Sequence, residues 1–189
     1  MVKKLYLFLL VLLLFATLPA AQANNLTGTG LEAKADTLPV PKNVKNLKFY
    51  VQRDPNANTV VYQLNEVSPG VLNEQEPIHV FWIRYAEGGE QKELNYVQRK
   101  FAYGLNTKKL GKDNYELKFV CYSKLSLYLR KAADGKFNVC TTINEKEAIL
   151  DRVFVRVEGG TFWVPNVLYV ELKGRDAATG KPISSRFKP

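Results

Sequence analysis

Pro77 to Gly104 read PIHVFWIRYAEGGEQKELNYVQRKFAYG, and this stretch decides the fold class. In an extended chain Ile78, Val80, Trp82 and Arg84 point one way, while His79, Phe81, Ile83 and Tyr85 point the other. Both sets are mostly apolar, which predicts a strand covered on both faces and central in its sheet. Pro77 has no N–H to offer a ladder and suits the first position of that strand. Gly88-Gly89 ends the run. Beyond it Leu94, Val97, Phe101 and Leu105 recur at spacings of three and four, the stripe of one amphipathic helix over about residues 90–104. Glu90 and Glu93 lie near its positive start, and Arg99 and Lys100 near its negative end. Gly104 suits a left-handed residue after the last turn. No Ser, Thr, Asp or Asn caps a start at Glu90, so that boundary is set only to within a few residues.

The remaining pattern is short and extended. Leu47 to Arg53 and Thr59 to Leu64 are β-rich runs joined by DPNAN, a hairpin with a longer loop. Tyr115 to Lys131 alternates over an unusual length, with Tyr115, Leu117, Phe119, Cys121, Leu125, Leu127 and Leu129 on one face. Strands usually run five or six residues, so this predicts two strands, or one bent near Ser123. Asp134-Gly135 signals a hairpin returning through Phe137 to Ile143. Ile149 to Glu158, Gly159-Gly160 and Thr161 to Val164 read as another hairpin. Val167 to Lys173 and Pro182 to Phe187 close the list of extended segments. Nine or ten short strands with one helix predict a mainly β fold, a single-domain β-sandwich or partly open barrel spanning residues 44–189.

Residues 1–23 have the form of a secretory signal. Lys3 and Lys4 precede the apolar run Leu5 to Leu18, and Ala21-Gln22-Ala23 is a small-residue cleavage site. The run is too short for a membrane anchor, and no other stretch is long enough to span a bilayer. Residues 24–43 are small, polar and proline-punctuated, and predict a flexible leader. The chain carries 27 basic and 18 acidic residues; losing Lys3 and Lys4 with the signal leaves a net charge of +7. An exported basic protein meets anionic glycans, lipids or cell-wall polymers rather than nucleic acid. Simple solubility is the plainer account of the same charge. Cys121 and Cys140 are the only thiols, and export would allow one disulfide between them. The alternative is two buried, unpaired thiols.

His79 is the only histidine, which excludes a two-histidine metal site or mechanism. A lone histidine between Ile78 and Val80 is more often a hydrogen-bonded structural residue than a catalyst. A cysteine nucleophile with His79 as base is possible in principle, but Cys121 falls on an apolar strand face where a thiol stays protonated. Asp54, Asn56 and Asn58 match the first ligands of a calcium loop. Thr59 and Asn65 occupy the positions that need Gly and Glu, so a turn is the better reading. No phosphate-binding or nucleophile-elbow motif is present, and no metal or cofactor is implied. One surface pattern stands out. Lys118, Tyr122, Lys124, Tyr128 and Arg130 lie opposite the leucines of residues 115–131, and cations alternating with aromatics on an exposed sheet face suit an anionic glycan or polymer. A solvated face, with Tyr for β-propensity and Lys for edge protection, is the competing account.

FYVQRDPNANTVVYQLN (residues 49–65), PIHVFWIRY (77–85), LNYVQRKFAYG (94–104) and VLYVELKGRDAATGKP (167–182) together resemble a family of small exported bacterial proteins, the domain of unknown function 4833. The resemblance runs from about Leu47 to Pro189 and implies a single exported domain. It carries no reaction, ligand or catalytic residue.

Two functions of different class remain. One is a non-enzymatic envelope domain that binds an anionic glycan, a lipid or a protein partner through a sheet face. The other is a hydrolase using His79 with polar neighbours such as Arg84, Arg53 or Gln98. The surroundings of His79 discriminate them.

Overall fold

The computed structural model describes residues 38–160 and 165–189. The expected signal, most of the leader and the expected strand Thr161 to Val164 lie outside the described residues. In chain order the elements are β1 (Leu47–Asp54), β2 (Asn56–Leu64), β3 (Glu66–Ser68), β4 (Val71–Leu72), β5 (Ile78–Arg84) and β6 (Glu90–Glu93). Helix α1 (Tyr96–Gln98) follows and continues into a π-helical turn, Arg99–Tyr103. Then come β7 (Leu105–Gly111), β8 (Asn114–Phe119), β9 (Ser126–Lys131), β10 (Phe137–Ile143), β11 (Lys146–Gly160), β12 (Pro165–Asp176) and β13 (Pro182–Phe187).

All but β3 and β4 join one sheet, in the order β6-β5-β2-β1-β11-β10-β9-β8-β7, with β12 and β13 branching from β11. Strand β11 is the spine. Along one edge it pairs with β12. Along the other it pairs first with β10, from Lys146 to Ile149, and then with β1 in parallel, from Arg152 to Arg156. The sheet therefore forks at residues 150–151, where the β11–β12 register also slips. The wing β1-β2-β5-β6 and the wing β10-β9-β8-β7 leave the same edge and curl toward each other. The outcome is a half-barrel, the partly open barrel of the two expected forms, with one short helix.

Aromatic packing closes the wings. Phe49 of β1 stacks on Tyr62 of β2 at 4.3 Å between ring centroids, and Phe119 of β8 meets both edge-on at 6.1 and 5.7 Å. Phe49 and Tyr62 have no exposed surface, and each such ring contributes about 2–3 kcal/mol by leaving water. The Tyr62 hydroxyl donates to the Tyr103 carbonyl at 2.8 Å, and Val120 N–H to the Gly104 carbonyl at 3.0 Å, so the helical turn bridges the wings. Among the described residues no helix is long and apolar enough to cross a membrane.

The deciding stretch is read correctly in part. Strand β5 is apolar on both faces, but it lies second from the sheet edge, not at the centre. Ile78, Val80 and Trp82 enter the main core. Phe81 and Ile83 join Val61 in a smaller cluster on the other face, against Val44, Leu47 and Tyr85. Burial on both sides thus reflects a cover from the chain before β1, not a central position. Residues 38–43 belong to that cover instead of behaving as loose leader. Pro41 is buried, the Pro39 carbonyl accepts from Gln52 Nε2 at 2.8 Å, and the Val40 carbonyl accepts from the Tyr85 hydroxyl at 3.2 Å.

The expected helix over residues 90–104 is shorter. Gly88 and Gly89, with φ of 80° and 84°, turn the chain back, and Glu90–Glu93 pair with β5 as an exposed, charged edge strand. Charge on an edge guards it against pairing with other chains. The helix starts at an Asn after all. The Asn95 side chain accepts from Gln98 N–H at 2.9 Å, and Gln98 Oε1 accepts from Asn95 N–H at 3.0 Å, a capping box. Of the expected apolar stripe Leu94 is buried, Phe101 and Leu105 are half-buried, and Val97 is 38% exposed. Gly104 is extended (φ −65°, ψ 166°), not left-handed; glycine is needed because a Cβ there would lie 2.0 Å from the Arg99 carbonyl oxygen. The long alternation of residues 115–131 divides into β8 and β9, paired as a hairpin around residues 120–125.

Candidate functional site

The five residues expected to form one binding face do not meet. Lys118, Tyr128 and Arg130 lie on the outer face of β8 and β9. Each cation there has a carboxylate beside it: Lys118 Nζ is 3.0 Å from Glu116, and Arg130 Nη1 is 2.7 Å from Glu147 on β11. Arg130 also covers the Tyr128 ring at 4.8 Å. Lys124 is exposed in the loop between the strands. Tyr122 turns inward and stacks on Phe187 of β13, with centroids 6.0 Å apart. Strand pairing explains the failure. The chain leaves the extended path after Phe119, so the alternation that puts Tyr122 and Lys124 on the outer face stops there.

Cys121 and Cys140 are both free thiols. They sit on opposite faces. Cys121, half-buried, packs against the main core and lines a cavity, whereas Cys140, itself buried, lies on the opposite face of its strand from Val139 and Thr141, beside Arg130 and Glu147. Of the two alternatives, this geometry is that of two separate thiols. Burial pushes the Cys121 thiol from 9.0 up to about 12, and it pushes Cys140 up as well.

His79 stands on the outer face of β5, with its side chain 34% exposed. Its ring is edge-on to Phe81 at 5.5 Å, and Nε2 lies 2.8 Å from Glu93 Oε1. The other oxygen of Glu93 accepts from Arg99 at 3.3 Å, and Arg99 also donates to Glu76 at 2.5 Å. His79 thus belongs to a four-residue surface network. Cys121 faces the interior on the other side of the sheet, so imidazole and thiol are not a pair.

Among the described residues, two hollows stand out within the curl of the half-barrel. The larger is a cleft of about 620 Å³ at the turn end of the β1–β2 hairpin. Arg53 of β1, Trp82 and Arg84 of β5 and Lys92 of β6 project into it, and Asn56, Asn58, Asn95 and Gln98 line its sides. These residues share one face for a simple reason: Arg53 follows Phe49 and Val51 along β1, and Arg84 follows Val80 and Trp82 along β5. Glu87 and Glu93 also border the cleft, but Glu87 is paired with Arg84, and Glu93 with His79 and Arg99. Asn58 Oδ1 accepts from Ala86 N–H at 3.1 Å, which ties the hairpin loop to the 3₁₀ turn Tyr85–Glu87 and shapes the rim. Burial lowers the Arg53 pKa, so this guanidinium carries its charge at some desolvation cost, the condition in which a nearby anion is attracted most strongly.

The smaller hollow is a cavity of about 120 Å³ walled by Val51, Tyr62, Phe119, Leu125, Val153 and Phe187, with Cys121 and Tyr103 also facing it. Burial raises the Tyr103 phenol to about 12 and Tyr62 well above 10.0, so both stay neutral donors. Arg53 lines both hollows. Trp82 and Tyr103, edge-on with centroids 4.9 Å apart, stand between them. Sequence reading placed Arg53, Arg84 and Gln98 near the central strand, but it did not bring Lys92 or Asn58 to them. The usable signal was a cation closing an apolar strand face, at Arg53 and at Arg84.

A search of curated proteins and of solved structures returns no match. Residues 49–186 match the family model described as Domain of unknown function (DUF4833), a span that takes in most of β1 through nearly all of β13, the whole lining of the cleft and that of the smaller hollow apart from Phe187 and Pro189. By that match over most of its length, the chain belongs to the DUF4833 family.

Proposed function

We propose that the chain is an exported, non-enzymatic binding module that holds an anionic envelope component, an acidic glycan or an anionic lipid head group, in the cleft. The observation that carries this reading is the convergence of Arg53, Arg84 and Lys92 around Trp82 in one concave site. Guanidinium and ammonium donors recognise carboxylate and phosphate, the amides supply neutral hydrogen bonds, and an indole face accepts a sugar ring or an apolar edge. The outer face of β8 and β9 is a weaker candidate: cations are paired in both places, Lys118 and Arg130 with Glu116 and Glu147 and Arg84 with Glu87, but only the cleft adds a concave surface and Trp82. Export rests on the signal-like residues 1–23, and the amino-terminal sequence of the protein recovered from cells tests it; a start at Asn24 supports cleavage.

The experiment on the cleft titrates purified protein with a uronic-acid oligosaccharide and with anionic phospholipid vesicles, at rising salt. Arg84→Ala and Lys92→Ala should each weaken binding about tenfold, the loss of one charge-assisted contact. Lys118→Ala and Arg130→Ala should leave it unchanged. Binding that survives the first pair and falls with the second would return the site to the outer sheet face.

A hydrolase is the second reading, favoured by one contact, His79 Nε2 to Glu93 Oε1 at 2.8 Å. A carboxylate can orient an imidazole for base catalysis. Here Glu93 is shared with Arg99, and the imidazole lies on the face away from Cys121, Arg53 and Trp82. Loss of a hydrolytic activity in His79→Ala, with ligand binding intact, would support this reading over the first.

A further inference from the structure

The small cavity and the cleft meet at one side chain, and that geometry speaks to the kind of ligand. The cavity wall is almost wholly apolar, and its polar neighbours are occupied. The Tyr62 hydroxyl donates to the Tyr103 carbonyl, and Cys121 is a protonated thiol at neutral pH. An apolar hollow suits an apolar guest; a cavity of about 150 Å³ lined by aliphatic and aromatic groups takes a benzene-sized one. At about 120 Å³ this one accepts a compact group of similar or smaller size, one ring or a short branched alkyl chain. Arg53 lines the cavity and also reaches the cleft, where Arg84 and Lys92 lie. A guest in the cavity therefore has a cation at its exit.

We infer that the ligand is an amphiphile: an anionic head, carboxylate or phosphate ester, seated in the cleft against Arg53, Arg84 and Lys92, joined to a compact apolar tail that enters the cavity between Phe119, Leu125, Val153 and Phe187. This rests on the reading that the cleft holds an anion, and it adds the tail. Specificity then divides between two physical terms. The head is selected by charge and is sensitive to salt. The tail is selected by volume, because a group larger than the cavity must push apart side chains from both wings of the half-barrel.

Calorimetric titration with three probes separates the terms: inorganic phosphate as head alone, benzyl alcohol as tail alone, and phenyl phosphate as both. Phenyl phosphate should bind at least tenfold tighter than inorganic phosphate, the usual gain from one apolar group in an apolar pocket. Leu125→Trp, which fills the cavity from the half-buried loop, should erase that difference; Leu125→Phe, a smaller change, should reduce it if the larger one unfolds the protein. Equal binding of phenyl phosphate and inorganic phosphate overturns the tail site and leaves the cleft reading standing. Binding of benzyl alcohol without either phosphate overturns the cleft reading and the amphiphile with it. Binding of none of the three removes both.

Discussion

Cys121 is expected to react slowly with thiol reagents in the folded protein. Its thiol, facing the cavity beside Tyr62 and Tyr103, is pushed from 9.0 up to about 12 by burial. At pH 8 an ordinary thiol with pKa near 9 is about one-tenth thiolate; at pKa 12 the fraction is about one in ten thousand, so thiolate chemistry slows about 1000-fold. The same shift is a stability statement, and its sign is fixed. Below pH 9 the thiol is neutral in folded and unfolded chains and contributes nothing. Between pH 9 and 12 the unfolded chain binds fewer protons than the folded one, so stability falls as pH rises, by up to about 4 kcal/mol in total. The assay is Ellman's reagent at pH 8 on native protein, with the labelled residue identified by mass spectrometry, alongside urea midpoints at pH 8 and pH 10. Cys121→Ala should lose stability at pH 8 through the space it leaves, yet show a shallower decline above pH 9. Protein unfolded without reductant should release both thiols. Prompt labelling of native Cys121 at a free thiol's rate would refute the burial argument, and fewer than two thiols on unfolding would restore the disulfide that the opposite faces forbid.

Two further expectations concern packing and charge. Gly104→Ala places a methyl 2.0 Å from the Arg99 carbonyl oxygen, so backbone has to move; a loss of about 1–3 kcal/mol is expected in urea unfolding, with Gly111→Ala, whose Cβ would meet open space, as the milder control. Asp54→Asn leaves the Arg156 guanidinium without its carboxylate where the two side chains are only 9% and 12% exposed, and about 3 kcal/mol should be lost, part of it regained when Arg156→Met is added; equal stability of the single and double variants would show that the pair is not the cause.

The local grammar of the fold was readable and its assembly was not. Alternation and turn residues located β1, β2, β5, the β8–β9 division, the Asp134-Gly135 hairpin and the closing strand β13, because those signals act within a few residues. The helix start was misplaced because Glu90–Glu93 carry charge that suits a helix amino terminus and an exposed edge strand equally well. Only the Gly88-Gly89 conformation and the pairing of Glu90 with Arg84 decide between them. The place of β5 in the sheet was hidden for a different reason. A strand buried on both faces is central if sheet layers cover it, but here the cover is Val44, Leu47 and the chain before them, and no periodicity reports that. The fork at β11 is likewise non-local, since it depends on one long strand lending a single edge to β10 and β1 in turn.

The site shows why alternation of cations and aromatics is a poor guide by itself. Lys118 and Arg130 stand on a face whose other members are polar, and such a face recruits carboxylates. Glu116 was two residues away and legible, whereas Glu147 comes from a strand that only the pairing brings near. Arg53 and Arg84 differ in what precedes them on their own faces: Phe49 and Val51 in one case, Val80 and Trp82 in the other. An apolar face continues into the core, so a cation at its end is partly desolvated and aimed at whatever hollow the core leaves open; Arg84 takes Glu87 of the following turn as its partner there. The curl of the half-barrel brings two such face ends together beside Lys92, and the hollow they share becomes a cleft. A cation that ends an apolar strand face is therefore a stronger pointer to a concave site than a cation within an alternating polar face, because the hollow opens where the apolar face stops, and this holds even though Arg84 pairs with Glu87.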